Sequence, residues 1–348
     1  MLRTQWRHDQ EKPRVCLPRK AAHGDVSEVE VLAASCGKTV TRLCGLRDLI
    51  KELPQLGKVR VVTGNRHVVQ EKVSQYQAIK LFDSHGRVQG DAIDLRLFLN
   101  HWHYGFAVKE KWDDGFRHSL QFFDRDGVGV HKVYLTRDSH WEAYENLIAY
   151  YRSADQRPRQ SVAPVPRPLF CADEEIDMAL LRQSWCALQD IHDLPALFKN
   201  FGMTRIQGLR LVGADLATPV VLPDLQVFMK VLRETALPLS FHVGNGGVVQ
   251  IHTGMVKQVG ITGLWLTALD TDFTLYLRGT GIASAWILRK PGEGGTLSCL
   301  ELYNWAGENV LQIFSPSQPG QVEYGIWQGL LAALETASIS ECSLLLTG

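Results

Sequence analysis

An eight-residue stretch occurs twice in this chain, as Thr63-Gly-Asn-Arg-His-Val-Val-Gln70 and as Val243-Gly-Asn-Gly-Gly-Val-Val-Gln250. Five of the eight positions are identical and the offset is 180. The same offset holds downstream without a gap. Leu95 and Leu97 fall on Leu275 and Leu277, Phe106 on Trp286, Lys109 on Arg289, Gly127 on Gly307, and Val133-Tyr134 on Ile313-Phe314. A register kept over about seventy residues, with matches at apolar and glycine positions, means two copies of one fold. A site belongs where the copies differ.

The periodicity of each copy gives its elements. Residues 1–57 read as mainly helical, with apolar positions at helical spacing in Val26–Ala34 and in Leu46–Leu53, where Pro54 stops the helix. From Val59 the period shortens to that of strands. Val59–Val62 and Val68-Val69 flank a Gly64-Asn65 turn, and strands follow at Asp94–Leu99, Gly105–Glu110, Ser119–Phe123 and Val130–Tyr134. An amphipathic helix, Trp141–Tyr151, closes the copy. Residues 152–172 contain four prolines among polar residues and read as a semi-extended linker. The second copy opens with a helix capped by Asp173 and running to about Gln189, then a short helix entered by Pro195 and ended by Gly202. Thr204-Arg-Ile-Gln207 has the capping-box pattern. Leu225–Leu232 is helical, a second strand meander follows, and Trp327–Leu334 closes it. The expected domains are residues 1–151 and 173–348, in an α+β architecture of two large antiparallel sheets with flanking helices.

Composition narrows the class. With 45% hydrophobic and 21% charged residues the chain can bury true cores. Lysine plus arginine equals aspartate plus glutamate at 37 each, which argues against a nucleic-acid binder that works by bulk charge. The seven cysteines are scattered and include no C-x-x-C pair, so neither a disulfide framework nor a zinc knuckle is expected. Neither a signal peptide nor a membrane span is read from the sequence, and a reducing compartment is the expectation. Phosphate-loop, serine-hydrolase, zincin and dinucleotide-binding motifs do not occur.

Two positions draw chemical interest. His192 precedes Asp193, which is placed to cap the helix that Pro195 enters, so the imidazole sits at a helix junction. In Asp94–Leu99, alternation sends Leu95, Leu97 and Leu99 to one face and Asp94, Arg96 and Phe98 to the other. The second copy keeps the leucines and places Tyr276 where Arg96 stands. Its core face is shared and its other face has diverged.

Asp94-Leu-Arg-Leu-Phe-Leu-Asn-His-Trp102, Gln121–Asp124, Asp190–His192 with Thr204-Arg205, Val243–Asn245 with Val249–Gly254, and Arg289–Pro291 together resemble the HemS/ChuS/PhuS family. That family comprises cytoplasmic haem-binding proteins of bacterial haem-uptake systems. The resemblance implies a duplicated fold with haem in a cleft between helices of the second half and the sheet of the first. It implies His192 as the iron ligand, Arg96 as the distal cation, Arg205 and Lys290 near the propionates, and Phe98 and Gln312 in the pocket. His242 stands where relatives carry an aromatic residue and is a candidate second ligand. Gln70 replaces a histidine, Phe314 a tyrosine and Ser317 an arginine. The loss of the last two predicts a weaker propionate clamp unless a cation such as Arg289 moves in. His101, His103 and His252 are expected on the solvent side or in turns. The implied activity is cytoplasmic haem breakdown to release iron, with haem as substrate and cofactor. The alternative is a non-catalytic chaperone that hands haem to a separate haem oxygenase. Implied partners are an ABC haem importer and a reductant or reductase.

Overall fold

The computed structural model describes residues 26–77, 79–89, 93–112, 115–162 and 169–346, with side chains as far as residue 338. Among these residues there are eight helices and eighteen strands. The first copy contributes α1 (Glu28–Ala33), β1 (Val40–Leu43), α2 (Leu46–Glu52), β2 (Gly57–Gly64), β3 (Val68–Gln75), β4 (Ile79–Leu81), β5 (His85–Val88), β6 (Asp94–Phe98), β7 (Tyr104–Trp112), β8 (Gly115–Phe123), β9 (Gly129–Ser139) and α3 (Trp141–Tyr151). The second opens with three helices, α4 (Met178–Ala187), α5 (Leu194–Asn200) and α6 (Arg205–Leu211), then β10 (Ala217–Val220) and α7 (Leu225–Thr235). Its meander is β11 (Leu239–Gly244), β12 (Val248–Gly254), β13 (Gln258–Thr262), β14 (Trp265–Leu269), β15 (Phe273–Leu277), β16 (Ser284–Lys290), β17 (Leu297–Tyr303) and β18 (Asn309–Phe314), closed by α8 (Val322–Leu346).

The strands form two nine-stranded sheets, in the orders β1-β7-β8-β9-β2-β3-β15-β14-β13 and β10-β16-β17-β18-β11-β12-β6-β5-β4. The two orders match strand for strand, and the last three strands of each come from the other copy. The compact units are accordingly discontinuous in sequence. One comprises residues 1–166 with 243–252 and 271–276, and the other comprises 167–242, 253–270 and 277–348.

In the first unit, Leu49, Ile50, Tyr144 and Leu147 of α2 and α3 pack on Val59, Val61, Leu120, Phe122 and Val133. α1 packs Val29 and Ala33 against Phe106, Val108 and Phe123 in a second cluster. The duplicated turns meet here. Asn65 Nδ2 donates to Gly244 O at 3.1 Å, and Asn245 Nδ2 donates to Gly64 O at 3.0 Å. Each Asn Oδ1 also accepts two N–H groups of its own turn, His67 and Val68 in one case and Gly247 and Val248 in the other. A Cβ at residue 64 would lie 2.8 Å from Val68 O, so only glycine lets the strands close. The repeated Gly-Asn is therefore a turn, as expected, and also a clasp between the copies.

The second unit packs Leu181, Trp185, Leu194, Phe198 and Leu209 of α4–α6 on Leu288, Cys299 and Tyr303. The helix expected from Asp173 starts later: Asp173–Glu175 is a single 3₁₀ turn, Ile176 is extended, and Asp177 caps α4 by accepting from Leu180 N at 2.9 Å. The Asp173 carboxylate serves tertiary partners instead, Arg210 at 2.6 Å and Gln207 at 2.9 Å. Residues 1–57 also contain β1, which the helical reading did not anticipate. Four residues are too few to show a period, and β1 exists by pairing with β7. The described part of the linker is strapped down. Arg42 donates to the carbonyls of Asp155, Arg157 and Arg159 and exchanges backbone bonds with the Gln156 amide.

Candidate functional site

His192 lies on a 3₁₀ turn, Ile191–Asp193, that runs into α5. Ile191 and Leu194 are buried on either side of it, which leaves the imidazole turned outward and partly exposed. The turn is capped by Asp190, whose Oδ1 accepts from His192 N at 2.9 Å. Asp193, expected to cap α5, makes no side-chain cap bond. It sits in helical rather than extended backbone (φ −84°, ψ −5°), so its carboxylate does not face the free N–H groups.

The sheet of the second unit supplies the floor. His192 stacks on His242 of β11, with ring centroids 5.0 Å apart and planes at 11°. Phe314 of β18 packs against both rings, at 5.0 Å and 4.7 Å. His242 is buried, and its Nε2 lies 2.9 Å from Ser240 Oγ, which accepts from Thr253 Oγ1 at 3.0 Å. With Thr253 as donor, the Ser240 proton is left for His242 Nε2. His192, Ser240, His242 and Phe314 line a cleft of about 220 Å³ together with Asp190, Leu297, Pro316 and Tyr324. That is below the roughly 300–1,000 Å³ of a pocket that engulfs its ligand. A flat ligand would be held here by one part of its surface.

Across the same sheet face, His242 pairs with Gln312 and Gln312 with Glu301. Gln312 Nε2 donates to Glu301 Oε1 at 2.6 Å. Arg205, the first residue of α6, donates through Nε to Glu301 Oε2 at 3.0 Å and to Tyr303 OH at 2.8 Å, and through Nη2 to Glu301 Oε1. Burial works to lower the Arg205 pKa, but the Glu301 charge and Tyr303 hold it above its ordinary value. Burial likewise pushes the Tyr303 hydroxyl well up, against the pull of Arg205. A desolvated carboxylate needs such a partner, since an uncompensated buried charge costs several kcal/mol, on the order of 3–5.

Lys290 of β16 is only 7% exposed and pairs with Leu297, a residue of the cleft lining, so the two side chains share one face of the sheet. Its Nζ reaches Pro291 O at 3.3 Å and forms no ion pair among the described residues. Arg289, in contrast, is engaged with Glu335 at 2.5 Å and Thr218 at 3.0 Å. Among the described residues no group of three metal-ligating side chains occurs, so a metal held by His192 must bring most of its own ligands.

Arg96 and Phe98 belong to the first unit. Leu95 and Leu97 are only 1% exposed, whereas Asp94 and Arg96 are half-buried and Phe98 is exposed, as the alternation predicts. His101 and His103 are exposed, as expected. His252 is not: it is buried in β12 and stacked on Phe273 at 3.6 Å, because the strand continues to Gly254.

Sequence reasoning missed Asp190 as the cap, the Thr253–Ser240–His242 chain and Glu301. Only Glu301 left a signal, a lone carboxylate inside the otherwise apolar Leu300–Tyr303. The others depend on which strands become neighbours.

Known proteins are similar to this chain over most of its length. A family model described as "Haemin-degrading HemS.ChuX domain" matches residues 25–151 and again 202–334. The hemin transport protein HmuS of Yersinia pestis is 33% identical over 317 residues, spanning 90% of this chain and 91% of the relative. The crystal structure of holo-PhuS, a heme-binding protein from Pseudomonas aeruginosa, superposes with a TM-score of 0.84 at 35% identity, covering 94% and 96% of the two chains. That of ChuS, an E. coli heme oxygenase, gives 0.78 at 31% identity, covering 87% and 91%.

Proposed function

The chain belongs to the haemin-degrading HemS.ChuX family, and on that premise we propose that it binds haem and opens the ring to release iron. The reading is carried by His192: a single outward imidazole, fixed by the Asp190 cap and by its stack on His242, at an aromatic-lined cleft. One imidazole suffices for a metal that arrives inside a macrocycle, and histidine is a common protein ligand to haem iron. The names of the relatives, hemin transport, heme-binding and heme oxygenase proteins, support the same ligand.

Each residue then has a task. His192 is the iron ligand in preference to His242, whose Nε2 is committed to Ser240 in a buried position. His242 and Phe314 set the plane of the His192 ring by packing on it. Lys290 of the second unit offers a cation for a propionate, and Phe98 of the first unit offers exposed apolar surface to a flat ligand. Arg205 acts from further back: it holds Glu301, and through Glu301 it orients Gln312 at the pocket wall. Haem, when bound as substrate, would supply the redox-active iron that a reductant reduces and at which oxygen is activated to open the ring. Arg96, on the first unit, offers a charge that is never lost, with N–H donors suited to negative charge on oxygen.

Adding haemin to the purified protein is expected to give a sharp Soret band that weakens or shifts in His192→Ala. An unchanged spectrum in that variant would remove His192 as the ligand and move attention to His242. Reductant and oxygen, with catalase present, should then bleach the band and yield an open tetrapyrrole. Arg96→Ala should slow bleaching by about 10²-fold while changing affinity less. Bleaching only with free peroxide would instead favour a chaperone that passes intact haem to a separate oxygenase.

A further inference from the structure

In the first unit, β4, β5 and β6 put Lys80, Arg87 and Arg96 in one row, Lys80 paired with Arg87 and Arg87 with Arg96. Paired positions share a face with their side-chain bases roughly 5 Å apart. Three positive charges thus stand as neighbours across about 10 Å of sheet. Like charges so placed repel. None of the three forms an ion pair among the described residues. Asp94, on the same face, feels both arginines, but burial pushes its carboxyl up against their pull and its Oδ1 has no hydrogen-bond partner. One half-buried acid does not neutralise three cations.

Beside the cation row runs an aromatic one. His85 pairs with Phe98, and Phe82 stacks on His85 at 4.6 Å with planes at 20°. Phe82 and Phe98 are 51% and 39% exposed, and Lys80 and Arg87 are exposed too. Arg47 pins the turn through the carbonyls of Phe82 and Asp83, at 2.6 Å and 2.9 Å. The opposite face of these strands is buried through Val88, Leu95 and Leu97, so both rows ride on a fixed core.

We propose that the two rows form a capture ledge for a planar aromatic dianion, its carboxylates on Lys80 and Arg87 and its ring against the Phe82–His85–Phe98 side. This rests on the haem reading above, since haem is an apolar plane with two carboxylates, and it adds residues that draw the ring in. Guanidinium groups match carboxylates in a two-pronged geometry. Exposed charges of this kind steer encounter more than they hold the final complex.

The test is stopped-flow association of haemin and of haemin dimethyl ester, at low and high salt, with the wild type and with Lys80→Glu/Arg87→Glu. Both residues are exposed, so the variant should fold. Haemin association should slow about tenfold or more in the variant and lose its salt dependence, with the bound spectrum and off-rate unchanged. The diester should associate equally with both proteins. Equal haemin rates in the two proteins, or equal slowing of the diester, would overturn the ledge and leave the His192 reading intact. Iron-free protoporphyrin IX separates the two ideas further. Salt-dependent capture of it by His192→Ala, with no iron-dependent spectrum ever formed by the wild type, would sink the His192 reading alone.

Discussion

The cores of the two copies differ at three equivalent positions. In the first copy, Thr63, Tyr76 and His131 form a buried polar chain, with Thr63 Oγ1 2.8 Å from His131 Nδ1 and Tyr76 OH 2.6 Å from Nε2. The second copy, 180 residues on, holds Val243, Val256 and Leu311 there, all buried. The helix that faces each sheet differs in a parallel way. Ser27 and Thr204 both begin a capping box, and the next residue is Glu28 in one copy and Arg205 in the other. Glu28 meets Lys132 at 2.5 Å, and Arg205 meets Glu301. On the sheet, Gln121 pairs with Lys132 in one copy and Glu301 with Gln312 in the other. One pair of positions carries one charge in each copy, with the sign reversed. Backbone and apolar core are shared, so the fold tolerates either polarity. What it requires is that each buried charge be matched by its own helix.

Breaking that match should have the largest effect. Arg205→Met leaves Glu301 uncompensated and should cost about 3–5 kcal/mol in urea unfolding. Glu28→Gln should cost less, because Lys132 retains a contact with the Phe123 ring at 5.7 Å. Equal losses would refute the idea that Glu301 is the more confined charge.

The polar core should show itself in acid. Burial pulls the His131 pKa down to about 3, below its value in the unfolded chain. The unfolded state therefore binds the extra proton, and the contribution is complete above about pH 6.5 and is lost as pH falls toward 3. Between pH 7 and 4 this amounts to roughly 3 kcal/mol. His131→Leu combined with Thr63→Val and Tyr76→Phe, which makes the site apolar like that of the second copy, should stay near wild-type stability at pH 7 and lose that acid sensitivity. An unchanged acid transition, followed by tryptophan fluorescence, would show that His131 is not its cause.

The smallest effect belongs to the clasp. Asn245 Nδ2 serves Val130 O at 2.9 Å as well as Gly64 O. Asn245→Ala removes both bonds and should destabilise by about 1 kcal/mol in denaturant titrations. An unchanged midpoint would mean that the clasp adds no stability.

Much of this was readable without coordinates. The 180-residue register, the Thr204 capping box and the buried face of Asp94–Leu99 are consequences of local spacing, and local spacing is what a sequence displays. Arg96 stood out because the other copy has Tyr276 in its place, and His192 because it sits at a helix junction. Asp190 as the cap of the His192 turn, the Ser240 bond that occupies His242, and the three-cation row of Lys80, Arg87 and Arg96 were not readable.

By itself the sequence determined that there are two copies, which faces of their strands are buried, and one helix start, at the Thr204 cap. Only the tertiary structure decided which strands are neighbours. Alternation tells a strand which side faces the core and is silent about what lies at its edges, since any neighbour with the same period satisfies it. That is why the last three strands of each sheet could come from the other copy unannounced, and why Gly64-Asn65 and Gly244-Asn245, plain turns in the sequence, became the clasp between copies.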